Sequence, residues 1–138
     1  MIKEDCIFCK LANGVFPTNT VYENDEFRVI LDAGPATKGH SLVIPKSHYE
    51  NALVADEEIL GKAMVLAAKV GTAMKKALGC DGVNIVQNNG AAAGQTVMHL
   101  HIHVIPRWSN DGVGNFWKPG TDTNENFAAT AKLIAENM

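Results

Sequence analysis

The chain has 138 residues, a formal net charge of −3, 46% hydrophobic residues and 20% charged residues. This length and composition suit one globular domain with its own core. We expect no nucleic-acid partner, no membrane span and no signal peptide, and hence a cytoplasmic protein, because basic runs and long apolar stretches are missing. Three cysteines, an odd number, argue against a disulfide framework.

The first half of the sequence predicts a short helix followed by strands. Residues 6–12 are expected to form a helix or turn that ends at Asn13 and Gly14. Three short apolar or β-branched segments predict strands, of which the first two form a hairpin: residues 20–23, 27–31 and 41–44.

The longest predicted helix runs from about residue 56 to residue 78. It begins with acidic residues and ends with lysines before Gly79, as the helix dipole and the geometry of helix ends favour. Apolar side chains recur at helical spacing, namely Leu60, Met64, Ala67, Val70, Met74 and Leu78. We expect this stripe to pack on the sheet or on a second subunit.

The second half predicts two more strands and a C-terminal helix. The segments are a strand at 82–87, a loop at 88–96, a strand at 98–105 ended by Pro106, an irregular stretch at 111–124 and a helix at 127–137. Hairpins and a meander around one long helix, without alternating βαβ units, indicate an α+β fold with a mainly antiparallel sheet.

The most informative segment places His99, His101 and His103 on alternate positions of an apolar run. Strand geometry puts the three imidazoles on one face and the apolar side chains between them on the other. An imidazole is costly to bury unpaired and suits metal binding, nucleophilic attack or proton transfer near neutral pH. A pH-sensitive polar face is the alternative, but the neighbouring motifs favour a functional site.

Cys6 and Cys9 are separated by two residues, a spacing of redox pairs and of zinc sites. The strand–helix pattern of a thioredoxin-like redox protein does not surround them. A structural zinc ion takes four sulfur or nitrogen ligands, and His48 and His99 could supply the other two. Unpaired buried thiols are the alternative. We expect Cys80 to be a small buried side chain.

The loop of residues 88–96 leads directly into the histidine strand. Its small residues would let backbone N–H groups approach an anion, and Gln95 and Thr96 could add side-chain hydrogen bonds. Taken alone, the loop is better explained as a flexible connector. Beside three aligned histidines it predicts a phosphate-binding segment, to which His40 adds a fourth histidine before the third strand.

Four segments together resemble the histidine-triad (HIT) family: residues 6–9, 39–48, 88–96 and 99–105. They cover about residues 5–107 in the family's order, and the tail 108–138 is less alike. The chain is most similar to the nucleotide-binding, nucleoside phosphoramidase branch, in the form with a zinc-binding N-terminus. The resemblance implies one HIT-like domain over residues 1–138, with a five-stranded sheet extended across a homodimer through the long helix and the fourth strand.

The resemblance implies that His101 attacks the α-phosphorus of a nucleotide and forms a nucleotidyl-histidine intermediate, which water hydrolyses. It implies that His103 bonds the phosphate oxygens and that His40 orients the histidine pair. Thr96 belongs to the same catalytic set and, with Gln95, would contact the phosphate and the leaving group.

The resemblance also implies the nucleotide contacts and the metal ligands. Phe8 would line the base pocket, Asp32 would bind the ribose hydroxyls, and Asn88 and Gly94 would lie near the ribose and phosphate. One structural zinc ion per chain would be held by Cys6, Cys9, His48 and His99. Trp117 resembles part of a tail that reaches the partner subunit's active site, although a tryptophan covering the core is the ordinary alternative.

Three functions remain open from the sequence. The first is a hydrolase of nucleoside 5'-phosphoramidates and related nucleotidyl compounds, with a preference for purine nucleotides. The second is a dinucleoside polyphosphate hydrolase, which the residues Pro106 and Arg107 after the triad favour. The third is a nucleotide-binding scaffold protein whose catalysis is incidental.

Overall fold

The computed structural model describes residues 2–114, 117–120 and 126–138. Within these ranges it contains three α-helices, α1 (Ile7–Ala12), α2 (Glu57–Leu78) and α3 (Phe127–Glu136). The five strands are β1 (Thr20–Glu23), β2 (Phe27–Leu31), β3 (Ser41–Pro45), β4 (Gly82–Val86) and β5 (Ile102–Arg107), with a single 3-10 turn at Ala91–Ala93. The predicted α+β fold with one long helix is confirmed.

The strands form one sheet in the order β1-β2-β3-β5-β4. Every neighbouring pair is antiparallel, as the sequence predicted. β5 lies between β3 and β4, so the segment with the histidines enters the middle of the sheet, and β1 and β4 form its two edges.

One face of the sheet is covered by α2. Its buried residues Ala67 and Val70 pack against Val43 and Val104 of the central strands. Gly71 lies where the helix comes closest to the sheet, because a Cβ there would stand only 3.2 Å from Val83. Burial of each such aliphatic side chain contributes about 1.5–3 kcal/mol, which makes this the main core of the molecule.

The opposite face of the sheet carries α1 and a smaller apolar cluster. Ile30, Leu42 and Ile44 are buried there, and Leu11 of α1 packs against them. Since side chains alternate along a strand, His103 lies on this face, paired across the strands with Leu42. The histidines therefore face α1 and not the main core.

The histidine strand differs from its prediction at both ends. It begins at Ile102, so His99 and His101 precede it, and it continues through Pro106 to Arg107. Before the strand, the N–H of Leu100 donates to the Tyr49 carbonyl at 2.6 Å and takes no part in strand pairing. Pro106 is paired with Val83 of β4, but the carbonyl on the β4 side is that of Arg107, which accepts from the Asp81 N–H, and the Pro106 carbonyl points the other way and accepts from Thr37 Oγ1. Its missing N–H lies on that same side, where β3 pairs with β5 only as far as Val104, so no ladder hydrogen bond is lost.

The other element boundaries lie within about two residues of their predictions. Within the predicted irregular stretch 111–124, residues 115–116 and 121–124 lie outside the described ranges. α3 has no buried residue, and its Phe127, Leu133 and Ile134 are exposed. In the described part of the chain, no helix has the length and apolar character needed to cross a membrane.

Candidate functional site

The four predicted metal ligands converge at the N-terminal end of α1. The ligand atoms of Cys6, Cys9, His48 and His99 all lie within 4.8 Å of one another. His99 Nδ1 is 3.3 Å from Cys6 Sγ, 3.4 Å from Cys9 Sγ and 3.2 Å from His48 Nδ1. A zinc tetrahedron with ordinary metal–ligand distances has edges of about 3.3–3.8 Å between its S and N atoms. The separations are therefore close to those that zinc requires.

The protonation of this cluster also fits a metal ion. His99 Nε2 donates to the Pro45 carbonyl at 2.9 Å, because a carbonyl can only accept, and this leaves a lone pair on Nδ1 facing the cluster. Burial lowers the pKa of His99 to about 4, which keeps the ring in its neutral, ligating form. Burial also raises the pKa of the Cys9 thiol, which a bound cation would reverse. A closed set of four ligands leaves no open position for a substrate, as in structural sites.

Among the described residues, one ring nitrogen of His101 has a hydrogen-bond partner. Its Nδ1 donates to the His99 carbonyl at 2.7 Å, so the lone pair of the neutral ring is on Nε2. The side chain is buried, and this burial lowers its pKa. The Phe8 ring meets it edge-on, with 4.8 Å between the centroids. A neutral imidazole with an oriented lone pair can act as a nucleophile.

His40 and His103 form a chain of hydrogen bonds that determines their tautomers. The Ala36 N–H donates to His40 Nδ1 at 2.9 Å, so the proton of His40 is on Nε2. This Nε2 is 2.9 Å from His103 Nδ1 and donates to it, which leaves the proton of His103 on Nε2. The His103 ring is 5.0 Å from that of His101, centroid to centroid. The pair thus offers a lone pair and an N–H group side by side.

Asp32 completes the polar surroundings of these histidines. Its Oδ1 accepts the Gly34 N–H at 2.8 Å, and its Oδ2 lies 3.5 Å from His40 Nε2 and 4.0 Å from His103 Nδ1. These three side chains are of types that bind metal ions, and their candidate ligand atoms lie within 4.8 Å of one another. However, the Ala36 N–H occupies His40 Nδ1, so His40 Nε2 carries a proton and has no lone pair for a metal. This cluster is therefore suited to hold a proton, in contrast to the cysteine cluster.

A pocket of about 640 Å³ opens beside His40 and His103 and is bordered by Asn88 and Gly94 of the predicted phosphate loop. Gly94 has φ +96°, a conformation that favours glycine, and a Cβ there would stand 3.6 Å from the Asn88 amide nitrogen. A larger cavity, of about 770 Å³, lies between β1 and α2 and has none of the predicted site residues in its lining. The pocket beside the histidines is the candidate substrate site.

Gln95 and Thr96 occupy different environments. The Gln95 side chain is buried, its Oε1 accepts the Gly90 N–H at 2.8 Å, and its Nε2 donates to the carbonyls of Glu50 and Val97. Its amide therefore holds the loop in place. Thr96 is exposed at the next position. Of the two side chains, Thr96 is the one available for a phosphate contact.

Trp117 borders the pocket of its own chain and is 75% exposed. Arg107 does not line this pocket. Its Nε donates to Asp111 Oδ2 at 2.8 Å, its Nη1 donates to the Asn84 side chain at 2.8 Å, and its Nη2 donates to the Val113 carbonyl. The arginine after the triad therefore organises the following loop and brings no cation to the pocket.

Sequence reasoning did not identify the backbone groups that orient the histidines. The N–H of Ala36 and the carbonyl of Pro45 select the tautomers of His40 and His99. Every residue has such groups, so side-chain patterns carry no signal for them. The hydrogen bonds between the side chains of Gln87 and Asn89 were also not predicted.

The antiparallel sheet, the long helix and the ordered histidines together define a histidine-triad protein. The family model described as HIT domain matches residues 13–110. The chain belongs to the HIT family.

Relatives support this assignment along most of the chain. An uncharacterized HIT-like protein of Methanocaldococcus jannaschii is 46% identical over 108 residues, which are 78% of this chain and 82% of that protein. An adenosine 5'-monophosphoramidase of Schizosaccharomyces pombe is 34% identical over 96% of this chain and 98% of that protein. An adenylylsulfatase of Arabidopsis thaliana, HINT3, is 41% identical over 80% of this chain but 56% of its own length.

Solved structures show the same fold. A HIT-family protein of Bacillus subtilis matches with a TM-score of 0.88 and 37% identity, over 98% of both chains. A zinc-bound histidine-triad protein of Mycobacterium smegmatis matches with a TM-score of 0.77 and 35% identity, over 96% of this chain and 97% of that one.

Proposed function

We propose that the protein is a nucleotide hydrolase that cleaves nucleoside 5'-phosphoramidates or related nucleotidyl compounds at the α-phosphate, with a preference for purine nucleotides. The observation that carries this proposal is the His101–His103 pair, in which one ring offers a lone pair on Nε2 and the other a proton on Nε2. The named activities of two relatives, an adenosine 5'-monophosphoramidase and an adenylylsulfatase, are consistent with this chemistry.

The reaction would proceed in two displacements. His101 Nε2 attacks the α-phosphorus, an N–P bond forms, and the bond from phosphorus to the leaving group breaks, with its electron pair going to the leaving group, which takes up a proton from solvent. Water then attacks the phosphorus and gives up a proton to solvent, the bond to His101 breaks, and the nucleoside monophosphate leaves with the neutral imidazole restored. His103 Nε2–H would donate to a phosphate oxygen, where negative charge increases in each transition state.

The remaining predicted residues have places around this centre. Phe8 would contact the base, Asp32 would accept from ribose hydroxyls, and Asn88, Gly94 and Thr96 would surround the phosphate. Support comes from the carboxylate of Asp32 beside His40, and from Asn88 and Gly94 at the pocket. The buried amide of Gln95 would position this loop.

The substrate class can be tested by comparing hydrolysis of adenosine phosphoramidate with that of diadenosine tetraphosphate, using His101→Ala as the control. We expect the phosphoramidate to be preferred, because Arg107 is held by Asp111 and supplies no charge for a polyphosphate chain. Preference for the tetraphosphate would favour a dinucleoside polyphosphate hydrolase. Binding of AMP without cleavage of either compound would favour a scaffold protein.

The pH dependence of kcat/KM provides a second prediction. Burial lowers the pKa of His101, and lowers that of His103 to about 4. Lowered pKa values keep both rings neutral below the usual histidine range, so kcat/KM should stay flat from about pH 8 to about pH 6 and fall only in more acidic solution. The charge of Asp32 raises both pKa values, so Asp32→Asn should move the acidic fall to lower pH. Movement to higher pH would contradict the assignment.

We further propose one structural zinc ion per chain, held by Cys6, Cys9, His48 and His99. The donor set and its spacing support this, and the Mycobacterium smegmatis relative is zinc-bound. The ion would connect α1 to the segment before β5 and would take no part in the displacement. A cytoplasmic location fits this proposal, because reducing conditions keep such cysteines available as ligands.

We also propose a homodimer formed through α2 and β4, which would continue the sheet from one copy to the next. β4 is an edge strand, and α2 exposes Met64 and Val65. Met64→Glu should shift the protein from dimer to monomer in sedimentation velocity, because a carboxylate would be buried at the interface. Val54→Glu is the matched control, since Val54 is exposed outside both elements. A Met64→Glu dimer as stable as the wild type would refute this interface.

A further inference from the structure

His99 connects the candidate metal centre with the candidate nucleophile. Its Nδ1 faces Cys6 Sγ at 3.3 Å and Cys9 Sγ at 3.4 Å, and its Nε2 donates to the Pro45 carbonyl at 2.9 Å. The backbone carbonyl of the same residue accepts the Nδ1–H of His101 at 2.7 Å. The His99 side chain is fully buried with both ring nitrogens engaged, and the N–H of Leu100, in the same peptide group as this carbonyl, donates to the carbonyl of Tyr49, the residue after His48. The position of the carbonyl therefore depends on two segments that carry ligands of the candidate metal centre.

Phe8 forms a second connection. It lies between Cys6 and Cys9 in α1, and its ring meets the His101 ring edge-on, with an interplanar angle of 88°. α1 has six residues, too few for an isolated helix to be stable. Its first turn is capped by Cys6 Sγ, which accepts the Cys9 N–H at 3.4 Å. The Phe8 ring also packs against the apolar cluster on β2 and β3. Its position therefore depends both on this cluster and on what holds the two sulfur atoms.

The C-terminal half of α1 is held in a different way. Leu11 and Ala12 pack in the cluster with β2 and β3. The Asn13 side chain donates to the carbonyls of Cys9 and Lys46 at 2.8 and 2.9 Å. Loosening the sulfur atoms would therefore remove the cap of the first turn and leave Phe8 held by its apolar contacts alone, while the rest of α1 stays packed on the sheet.

We propose that the centre formed by Cys6, Cys9, His48 and His99 positions the nucleophile as well as stabilising the fold: a bound metal ion holds Phe8 and the His99 carbonyl against the His101 ring. Phe8 is then a positioning residue in addition to a base contact. The expected effect on kcat rests on the proposed function. The tautomer of His101 can be measured independently of that function.

The first experiment compares the zinc-loaded full chain with the same protein after chelation, at a temperature where circular dichroism shows that both are folded. Nitrogen-15 NMR at a single pH reports which ring nitrogen of His101 carries the proton. We expect Nδ1 alone in the loaded protein and a mixture of Nδ1 and Nε2 after chelation, with kcat for adenosine phosphoramidate lowered about tenfold. A folded, zinc-free protein with an unchanged tautomer and unchanged kcat would overturn the proposal.

The second experiment keeps the metal and changes Phe8, which decides the matter if chelation unfolds the chain. Phe8→Leu should retain about one zinc ion per chain, lower kcat about tenfold and broaden the tautomer distribution of His101. Leu11→Ala is the matched control, because Leu11 lies in the same helix and packs on the β2–β3 cluster. A role of Phe8 in base binding alone would raise KM and leave kcat and the tautomer unchanged, which would overturn the proposal.

The two proposals fail in different ways. If the loaded wild-type protein hydrolyses neither adenosine phosphoramidate nor a related nucleotidyl compound, the proposed function is wrong. The His101 tautomer in the loaded, zinc-free and Phe8→Leu proteins then still decides whether the metal centre positions this ring.

Discussion

Replacing His101 with alanine is expected to lower turnover of adenosine phosphoramidate by at least about 10⁴-fold, because the variant lacks the proposed nucleophile. The fold should survive, since the substitution removes one hydrogen bond, to the His99 carbonyl, and the edge contact with Phe8. Steady-state kinetics measures the first effect. Circular dichroism and binding of AMP, which should be retained, measure the second.

Met98→Ala is the matched control for His101→Ala and tests whether the loss of turnover is specific to the imidazole. Met98→Ala alters an exposed side chain in the same segment and should retain kcat within about twofold. In the wild type, rapid quenching should trap a nucleotide on His101, identifiable by peptide mass spectrometry. Full activity of His101→Ala would refute the assignment of the nucleophile, and a nucleotide found on His103 would transfer that role.

Replacing Cys9 with serine should remove most of the bound zinc and destabilise the protein by about 3 kcal/mol or more. The sulfur of Cys9 lies 3.4 Å from His99 Nδ1 and 3.5 Å from His48 Nδ1, so its loss opens the ligand set on two sides. Inductively coupled plasma mass spectrometry on protein purified without chelators should show about one zinc ion per wild-type chain. Thermal unfolding should show a decrease in Tm of roughly 10 °C for the variant.

Cys80→Ser is the control for this experiment. Cys80 is also buried, but it belongs to the main core between the sheet and α2, away from the metal ligands. We expect it to cost about 1 kcal/mol, from burial of a hydroxyl in an apolar site, with the zinc content unchanged. Wild-type protein without zinc, or equal losses of stability in the two variants, would contradict the metal site.

Local patterns were sufficient for most of the secondary structure. The apolar and β-branched run of residues 27–31 and the helical spacing from Leu60 to Leu78 depend on neighbours within a few residues, and β2 and α2 formed where these patterns lie. The histidine segment was predicted as one strand, but only His103 lies in β5. Its first part makes long-range contacts, such as Leu100 with the Tyr49 carbonyl, which a periodicity does not contain.

By itself, the sequence determined the side chains available for chemistry: two cysteines separated by two residues, histidines that could complete a zinc site with them, and alternating histidines beside a loop of small residues. The tertiary structure decided what each histidine can do. Three equivalent-looking imidazoles differ because His99 bonds the Pro45 carbonyl, His101 bonds the His99 carbonyl, and His103 accepts from His40. These partners include groups far away in sequence, and a tautomer depends on the atom that folding brings to each ring nitrogen.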